Sequence, residues 1–567
     1  MRPNNLSRLA IVAGFAAALS AVVLIGLTGS HTSVANAASQ IQAQPNWPRT
    51  RAEISNYTVT SSHADVVSFV DSLRTIAGNR VTTGIIGKTV QGRDLPYVIA
   101  SRPPIANAVA AKQSGKPIVY VQGNIHSGEV EGKEALQALL RDLVLSPRPN
   151  ALDSVILIAV PIYNADGNEN TAPQGRNRGS QNGPEMVGTR PNSEGTNLNR
   201  DYIKAFANET RGSLQMFTTW DPDIFVDLHT SNGSMHGYAL TYSPPLNPAS
   251  VHTYPFTRDS LLPEIRKRMR ERHQFETFDY GNWSGNCTDN CVFGTYDHTP
   301  RYGTNYYGLR GRIAILSEAF SHDPFERRVR STYAFVSEIL SVAAAKSRSI
   351  RATVRRADSL TTMWGRNPQS APPIPVTARL TAQGFRGPIL ITEMETAPAG
   401  TTPEPGLRGT QRKTGRILTK EMLIRDRFDA GSVVRPFPYG YAISAALPDT
   451  ILNMTLGLLR LHGIQIQQLQ QDWSGRVDVF AVARRDSGTY ENFRTSRVTG
   501  SWRTEQRTIP RGTNIVSAAQ PLAILAIYML EPESDDGIVT YTGLNPVLTA
   551  GSDFPFIRLA QPLSGAR

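Results

Sequence analysis

Four short runs of apolar, mostly β-branched residues constrain this chain most: residues 117–121, 155–161, 223–228 and 312–316. Each run ends in a loop, and the intervals between them are long enough for helical crossovers, which is the rhythm of an α/β sheet. Residues 64–76 read as an amphipathic helix with Val67, Phe69, Val70, Leu73 and Ile76 on one face. A second helix, starting soon after Glu129 and rich in Ala135, Leu136, Leu139, Leu140 and Leu143, should cover one side of the sheet. Residues 331–360 also read as helical. That pattern stops before Asn367-Pro368 and Ala371-Pro372-Pro373-Ile374-Pro375, a segment that breaks helix and central strand alike. The expected fold is therefore α/β, a mixed-sheet α/β/α domain over residues 45–362. A Pro-rich linker at 363–375 and a β-rich accessory domain at 376–567 complete it. In the second domain, 388–392, 440–445 and 477–483 read as short strands and 451–462 as a helix.

With 40% hydrophobic and 19% charged residues the chain can bury a proper core, which excludes a disordered protein. The formal charge of +12 is spread along the chain without a basic run or a groove-reading motif, so no nucleic-acid partner is expected. Arg2 and Arg8 precede an apolar stretch at 9–27, and Ala35-Asn36-Ala37 offers the small residues of a cleavage site. Residues 1–37 are read as a signal peptide or, if uncleaved, as an N-terminal membrane anchor, since the stretch approaches spanning length. Either reading puts the folded part outside the cytoplasm, secreted or periplasmic. The two cysteines, Cys287 and Cys291, are a disulfide candidate, because no histidine lies between them to complete a zinc site.

The chemistry starts from a weak motif. His126 and Glu129, three apart in a loop after the 117–121 run, can place an imidazole nitrogen and a carboxylate on one ion, although such pairs also serve as plain loop hydrogen bonds. His229 strengthens the metal reading because it follows directly on the 223–228 run, and open α/β sheets place their sites beyond the carboxyl ends of strands. Two histidines and a glutamate leave one coordination position open, as catalytic zinc requires. His236 competes for the third place. Glu318, at the end of the fourth run, brings a carboxylate to the same rim, where it can take a proton from an attacking water and pass it on. The plainer reading is a solvated strand-end glutamate. Arg190, Asn199 and Arg200 fall within one segment, residues 190–201, and offer cations and donors for an oxyanion and an anionic substrate group.

At this point the chain resembles the zinc carboxypeptidase family of the A/B type over roughly residues 60–340. The likeness rests on Ile86-Gly87-Lys88-Thr89-Val90-Gln91-Gly92-Arg93, the H-x-x-E loop, Asn164-Ala165-Asp166-Gly167, Asn197-Leu198-Asn199-Arg200-Asp201, His229 and Glu318. The resemblance implies one Zn²⁺ per chain on His126, Glu129 and His229, with Glu318 as general base and Arg190 polarising the scissile carbonyl. Asn199 and Arg200 would grip the free C-terminal carboxylate of a peptide or protein substrate. It also implies a mobile tyrosine over bound substrate; Tyr296 has the matching spacing, with Tyr302, Tyr306 and Tyr307 nearby. Ser127-Gly128 departs from the digestive members, which carry an arginine in this loop, and the span from Ala37 to residue 60 is too short for their folded activation segment. Two other functions stay open. One is an amidase or deacylase acting on acylated amino acids or peptidoglycan peptides; the other is an inactive secreted binding protein that uses its C-terminal β unit for recognition.

Overall fold

The structure is a computed structural model that describes residues 46–283, 291–398, 400–402, 404–407, 409–541 and 543–563, all within one structural unit. The proposed leader, 1–37, lies outside the described residues. Among those described, no helix is long and apolar enough to cross a membrane.

The centre is an eight-stranded mixed sheet. Its strands are β1 (Val81–Lys88), β2 (Asp94–Ala100), β3 (Ile118–Gly123), β4 (Ile156–Val160), β5 (Ile224–Thr230), β6 (Leu240–Ser243), β7 (Thr277–Asp279) and β8 (Ile313–Ala319). They lie in the order β1-β2-β4-β3-β5-β8-β6-β7. The four runs singled out by sequence are β4, β3, β5 and β8, adjacent and mutually parallel. All their residues are buried, which is why they read as unbroken apolar runs rather than as alternating ones.

Helices α1 (His63–Ala77), α2 (Glu131–Leu145), α4 (Leu262–His273) and α5 (Phe325–Ala345) pack one face of this sheet. α1 is fixed at its start by a capping box between Ser62 and Asp65. The opposite face carries α3 (Asn208–Trp220) and much of the C-terminal half. The helical pattern at 331–360 belongs to two helices, α5 and α6 (Ser347–Arg366), because Lys346 leaves helical geometry with φ −102° and ψ 19°.

The C-terminal half is built on two long antiparallel ribbons and a six-stranded sheet. β9 (Phe385–Thr396) pairs with β10 (Gln411–Arg425), whose other edge takes the short strand Val292–Gly294 in parallel. The larger sheet holds β11 (Gly440–Ile443), β12 (Trp473–Tyr490), β13 (Phe493–Ile509), β14 (Asn514–Ser517) and β15 (Phe556–Leu559), with Gln467–Gln468 at its edge. The strands expected at 388–392 and 477–483 are thus the inner parts of ribbons 12 and 18 residues long. Beyond Val482 both sides of β12 are solvated, so the apolar alternation that marks a strand is absent there. Helices α7 (Asp449–Leu461) and α8 (Ala523–Leu530) bury their apolar residues in the same cluster as Tyr120, Ile158 and Phe225 of the central sheet. Ile374 and Val376, in and just after the Pro-rich segment, join that cluster as well.

Close backbone packing sets the site. A Cβ on Gly132, in the first turn of α2, would come within 2.7 Å of Leu228 Cβ, so the missing side chain lets α2 settle directly on β5. The loop between β3 and α2 is thereby pressed against the end of β5.

Candidate metal and catalytic site

That loop carries His126 and Glu129, and the end of β5 carries His229. A turn in which Glu129 N–H donates to the His126 carbonyl at 2.9 Å points both side chains the same way. His126 Nδ1 lies 3.2 Å from Glu129 Oε1, His229 Nδ1 lies 3.0 Å from Glu129 Oε2, and the two Nδ1 atoms are 3.2 Å apart. Among the described residues these three form the one group of ligand atoms close enough to share an ion. Their outer nitrogens are occupied: His229 Nε2 sits 2.9 Å from Asp227 Oδ2, and His126 Nε2 sits 3.0 Å from Asn197 Oδ1. With a proton on Nε2 toward these partners, each imidazole would turn an Nδ1 lone pair inward toward an ion. Two facing lone pairs beside a carboxylate are a donor set that a borderline-soft dication fits, so the residues present suit zinc.

The electrostatics agree. Burial, helped by Arg190, pushes His126 down to about 3, into the neutral form that ligates. Burial would also lower His229, but the adjacent Asp227 and Glu129 hold it well above its usual range, the mark of a pocket whose negative charge a cation balances. Despite burial, His126 and Arg178 keep Glu129 well below the ordinary carboxylate range.

Glu318 stands beside His229 because β8 pairs with β5 in the register Glu318↔His229. Its Oε2 is buried without a hydrogen-bond partner. Burial pushes the carboxyl up to about 8 against the pull of His229, so a proton can be held or released there near neutral pH. Together with His126, Glu129 and His229, it lines a cleft of about 260 Å³ that also receives Arg190, Asn199 and Arg200. Tyr280, Tyr296 and Tyr302 form an aromatic wall, with Tyr296 edge-on to Tyr280 at 5.4 Å and 5.3 Å from Tyr302. The Arg200 guanidinium rests 3.7 Å over the Tyr302 ring. Arg190 is held 3.3 Å from Glu129 Oε1 with a third of its side chain exposed, so part of its guanidinium remains available.

The loop bearing Arg190 is braced by the remaining motif residues. Asp166 accepts from Thr89 at 2.7 Å, from Arg93 at 2.7 Å and from Ser193 at 2.7 Å, tying the 86–93 and 164–167 segments to the substrate-facing loop.

Residues 66–277 match the family model described as zinc carboxypeptidase. This region belongs to the zinc carboxypeptidase family. Carboxypeptidase 2 of Trichophyton equinum is 22% identical over 489 residues, covering 83% of this chain and 81% of its own. The protein of the same name from Trichophyton rubrum is 21% identical over 489 residues, covering 83% of this chain and 81% of its own. Among solved structures, a metallo-carboxypeptidase from Burkholderia cenocepacia gives a TM-score of 0.37 at 16% identity, covering 50% of this chain and 69% of its own. The matched residues, 66–277, lie in the mixed-sheet part of the fold described above.

The structure brings His126, Glu129, His229, Glu318, Arg190, Asn199, Arg200, Tyr296 and Tyr302 to one cleft, whereas Tyr306, Tyr307, His236 and Cys291 do not line it. His236 is buried elsewhere, its ring 4.5 Å from Phe320, and takes no part in the triad. Cys291 is disulfide-bonded, and Cys287 lies outside the described residues. Arg178, 3.0 Å from Glu129, was not foreseen, and nothing in its Gly-rich surroundings marks it. Asp227 was legible, because it precedes His229 by two on a strand and must share its face. Tyr490 and Glu491, from the far end of β12, also reach the site and had no local signal at all.

Proposed function

We propose that the chain is an exported carboxypeptidase that holds one Zn²⁺ on His126, Glu129 and His229 and cuts peptides next to a free C-terminal carboxylate. One observation carries this reading: a buried carboxylate, Glu318, and two arginines, Arg190 and Arg200, share one small cleft with the three-ligand cluster. When bound, zinc supplies a Lewis acid that lowers the pKa of water and polarises a carbonyl. Glu318, with its free Oε2, accepts the proton of the attacking water and returns it to the leaving amine. Arg190 stabilises the developing oxyanion. Asn199 and Arg200 orient the chain by its terminal carboxylate, and Tyr296 closes over it from the aromatic wall. Residues 45–362 carry the chemistry, and 376–567 serve as the accessory unit beyond the 363–375 linker. The leader at 1–37 supports export to the cell exterior or periplasm, and no nucleic-acid partner is expected.

An amidase or deacylase would share the metal cluster but would not need Arg200 at the rim. Mass spectrometry of a peptide library, incubated with and without chelator, separates these readings. Chelator-sensitive loss of C-terminal residues is expected. Cleavage confined to N-acyl groups or amidated termini would refute the proposal.

A further inference from the structure

The hairpin joining β12 to β13 turns tightly through Glu491 and Asn492, with Tyr490 opposite Phe493. The outer part of β12 is solvated on both sides, while Ser496 and Val498 of β13 are buried, and the tip is not idle. Glu491 Oε1 accepts from Asn197 Nδ2 at 2.9 Å, and the Oδ1 of the same Asn197 side chain lies 3.0 Å from His126 Nε2. The hydroxyl of Tyr490 accepts from Arg200 Nε at 3.0 Å, and Asn492 Nδ2 donates to the Gly195 carbonyl at 3.3 Å. Three consecutive residues nearly 300 positions downstream thus grasp the 195–200 loop side by side. Glu491 adopts φ +49°, left-handed backbone that glycine occupies at lower cost, so the tip keeps a glutamate where the backbone alone would favour glycine.

The two histidine ligands are backed differently. His229 Nε2 meets a carboxylate, Asp227, directly. His126 Nε2 meets a neutral amide, whose NH₂ donates to the Glu491 carboxylate. The carboxylate that normally orients and strengthens a metal-bound imidazole stands one residue further out on this side, and the C-terminal half supplies it. Arg200 is similarly fixed: Tyr302 holds one face of its guanidinium, Tyr490 takes Nε, and the Asn199 carbonyl takes Nη1 at 2.6 Å. Among the described residues, Nη2 carries no hydrogen bond, which leaves it for a ligand of the cleft.

We infer that the hairpin tip is a working part of the catalytic centre, in which Glu491 positions the metal ligand His126 through Asn197 and Tyr490 positions Arg200 for the substrate carboxylate. The inference rests on the zinc and carboxylate roles proposed above. It gives the C-terminal half a defined task, since the centre is incomplete without it.

The two positioning residues are neighbours in sequence but act on different quantities, and that difference is the test. In the full-length protein, zinc affinity of the apo form is measured by competition with a chromogenic chelator. KM and kcat are measured on a short peptide with a free C-terminus. Glu491→Ala should weaken zinc about tenfold. Glu491→Gln, which still accepts from Asn197, should recover most of that affinity. Tyr490→Phe should leave zinc affinity unchanged and raise KM roughly three- to tenfold with kcat near wild type. Arg484→Ala, a solvated position on the same ribbon, should change neither. Wild-type zinc affinity in Glu491→Ala, or wild-type KM in Tyr490→Phe, overturns the assignment. So does parallel loss of zinc, turnover and melting temperature in both Tyr490→Phe and Glu491→Gln, which would mean that the tip only stabilises the fold. A wild-type protein that binds no zinc or spares free C-termini would refute the proposed function instead.

Discussion

Replacing Asp227 by asparagine isolates the charge behind the metal site from its packing. The Asp227 carboxylate is fully buried: Oδ1 accepts from Gln122 Nε2 at 3.0 Å, and Oδ2 lies 2.9 Å from His229 Nε2 in an ion-pair contact. An asparagine whose oxygen keeps the histidine bond must turn its NH₂ toward the Gln122 NH₂, a donor facing a donor in a site without water. Left so, the clash costs about 1–3 kcal/mol. Gln122 can relieve it. Its Oε1 has no partner, and a flip of the amide would present that oxygen both to the introduced NH₂ and to the Tyr202 hydroxyl, which now accepts from Nε2 at 2.7 Å and would then donate. Asp227→Asn should therefore fold with little loss, and what remains is the missing negative charge on the far side of His229. Loss of such an outer partner typically costs 10–100-fold in metal affinity, or about 1.4–2.7 kcal/mol. The assay is zinc titration of the apo protein against a competing chelator, with thermal melting of the apo form as the folding control. An unchanged zinc dissociation constant in a folded variant would refute the argument that Asp227 tunes this ligand.

Glu318→Gln should retain zinc while losing about 10²–10⁴ in kcat, and a fully active variant would remove Glu318 from the mechanism. Arg200→Ala should raise KM for peptides with a free C-terminus far more than for C-terminally amidated analogues; equal losses on both would refute the carboxylate grip. Glu209 offers a stability test remote from turnover. It is buried at the start of α3, and burial raises its carboxyl to about 7 from an ordinary 4.5. Its folded value lies above its unfolded one, so its favourable contribution is complete below 4.5 and is lost as pH rises through 7. Glu209→Gln should accordingly gain on wild type across that window, by roughly 1–3 kcal/mol at the alkaline end in denaturant unfolding. A stability difference that does not vary with pH would sink the linkage.

The legible and illegible parts of this protein divide by how far apart the cooperating residues are. His229 and Glu318 could be assigned to one rim because each ends an apolar run, and runs buried on both faces must lie side by side in a parallel sheet. The H-x-x-E loop gained meaning only from that rim. The two-residue spacing on one strand would also have placed Asp227 behind His229, whereas the brace through Asp166 is seen only in the structure. None of these inferences needs more than one element and its immediate loop.

The C-terminal contribution fails that condition. Past Val482 β12 alternates nothing, being solvated on both sides, so its residues look like those of any charged loop. Glu491 in particular carries no local mark, since what makes it meaningful is Asn197, 294 positions earlier. The same holds for Asn197, whose neutral amide is an odd partner for a ligating histidine until the glutamate behind it is seen. A site whose ligands are fixed by its own domain but whose outer shell comes from another part of the chain can be found from sequence and still be misjudged in strength. Here the half of the protein that has no ligand cluster of its own among the described residues would control how firmly His126 holds a metal. Substitutions at the tip should therefore alter metal retention without touching a single ligand.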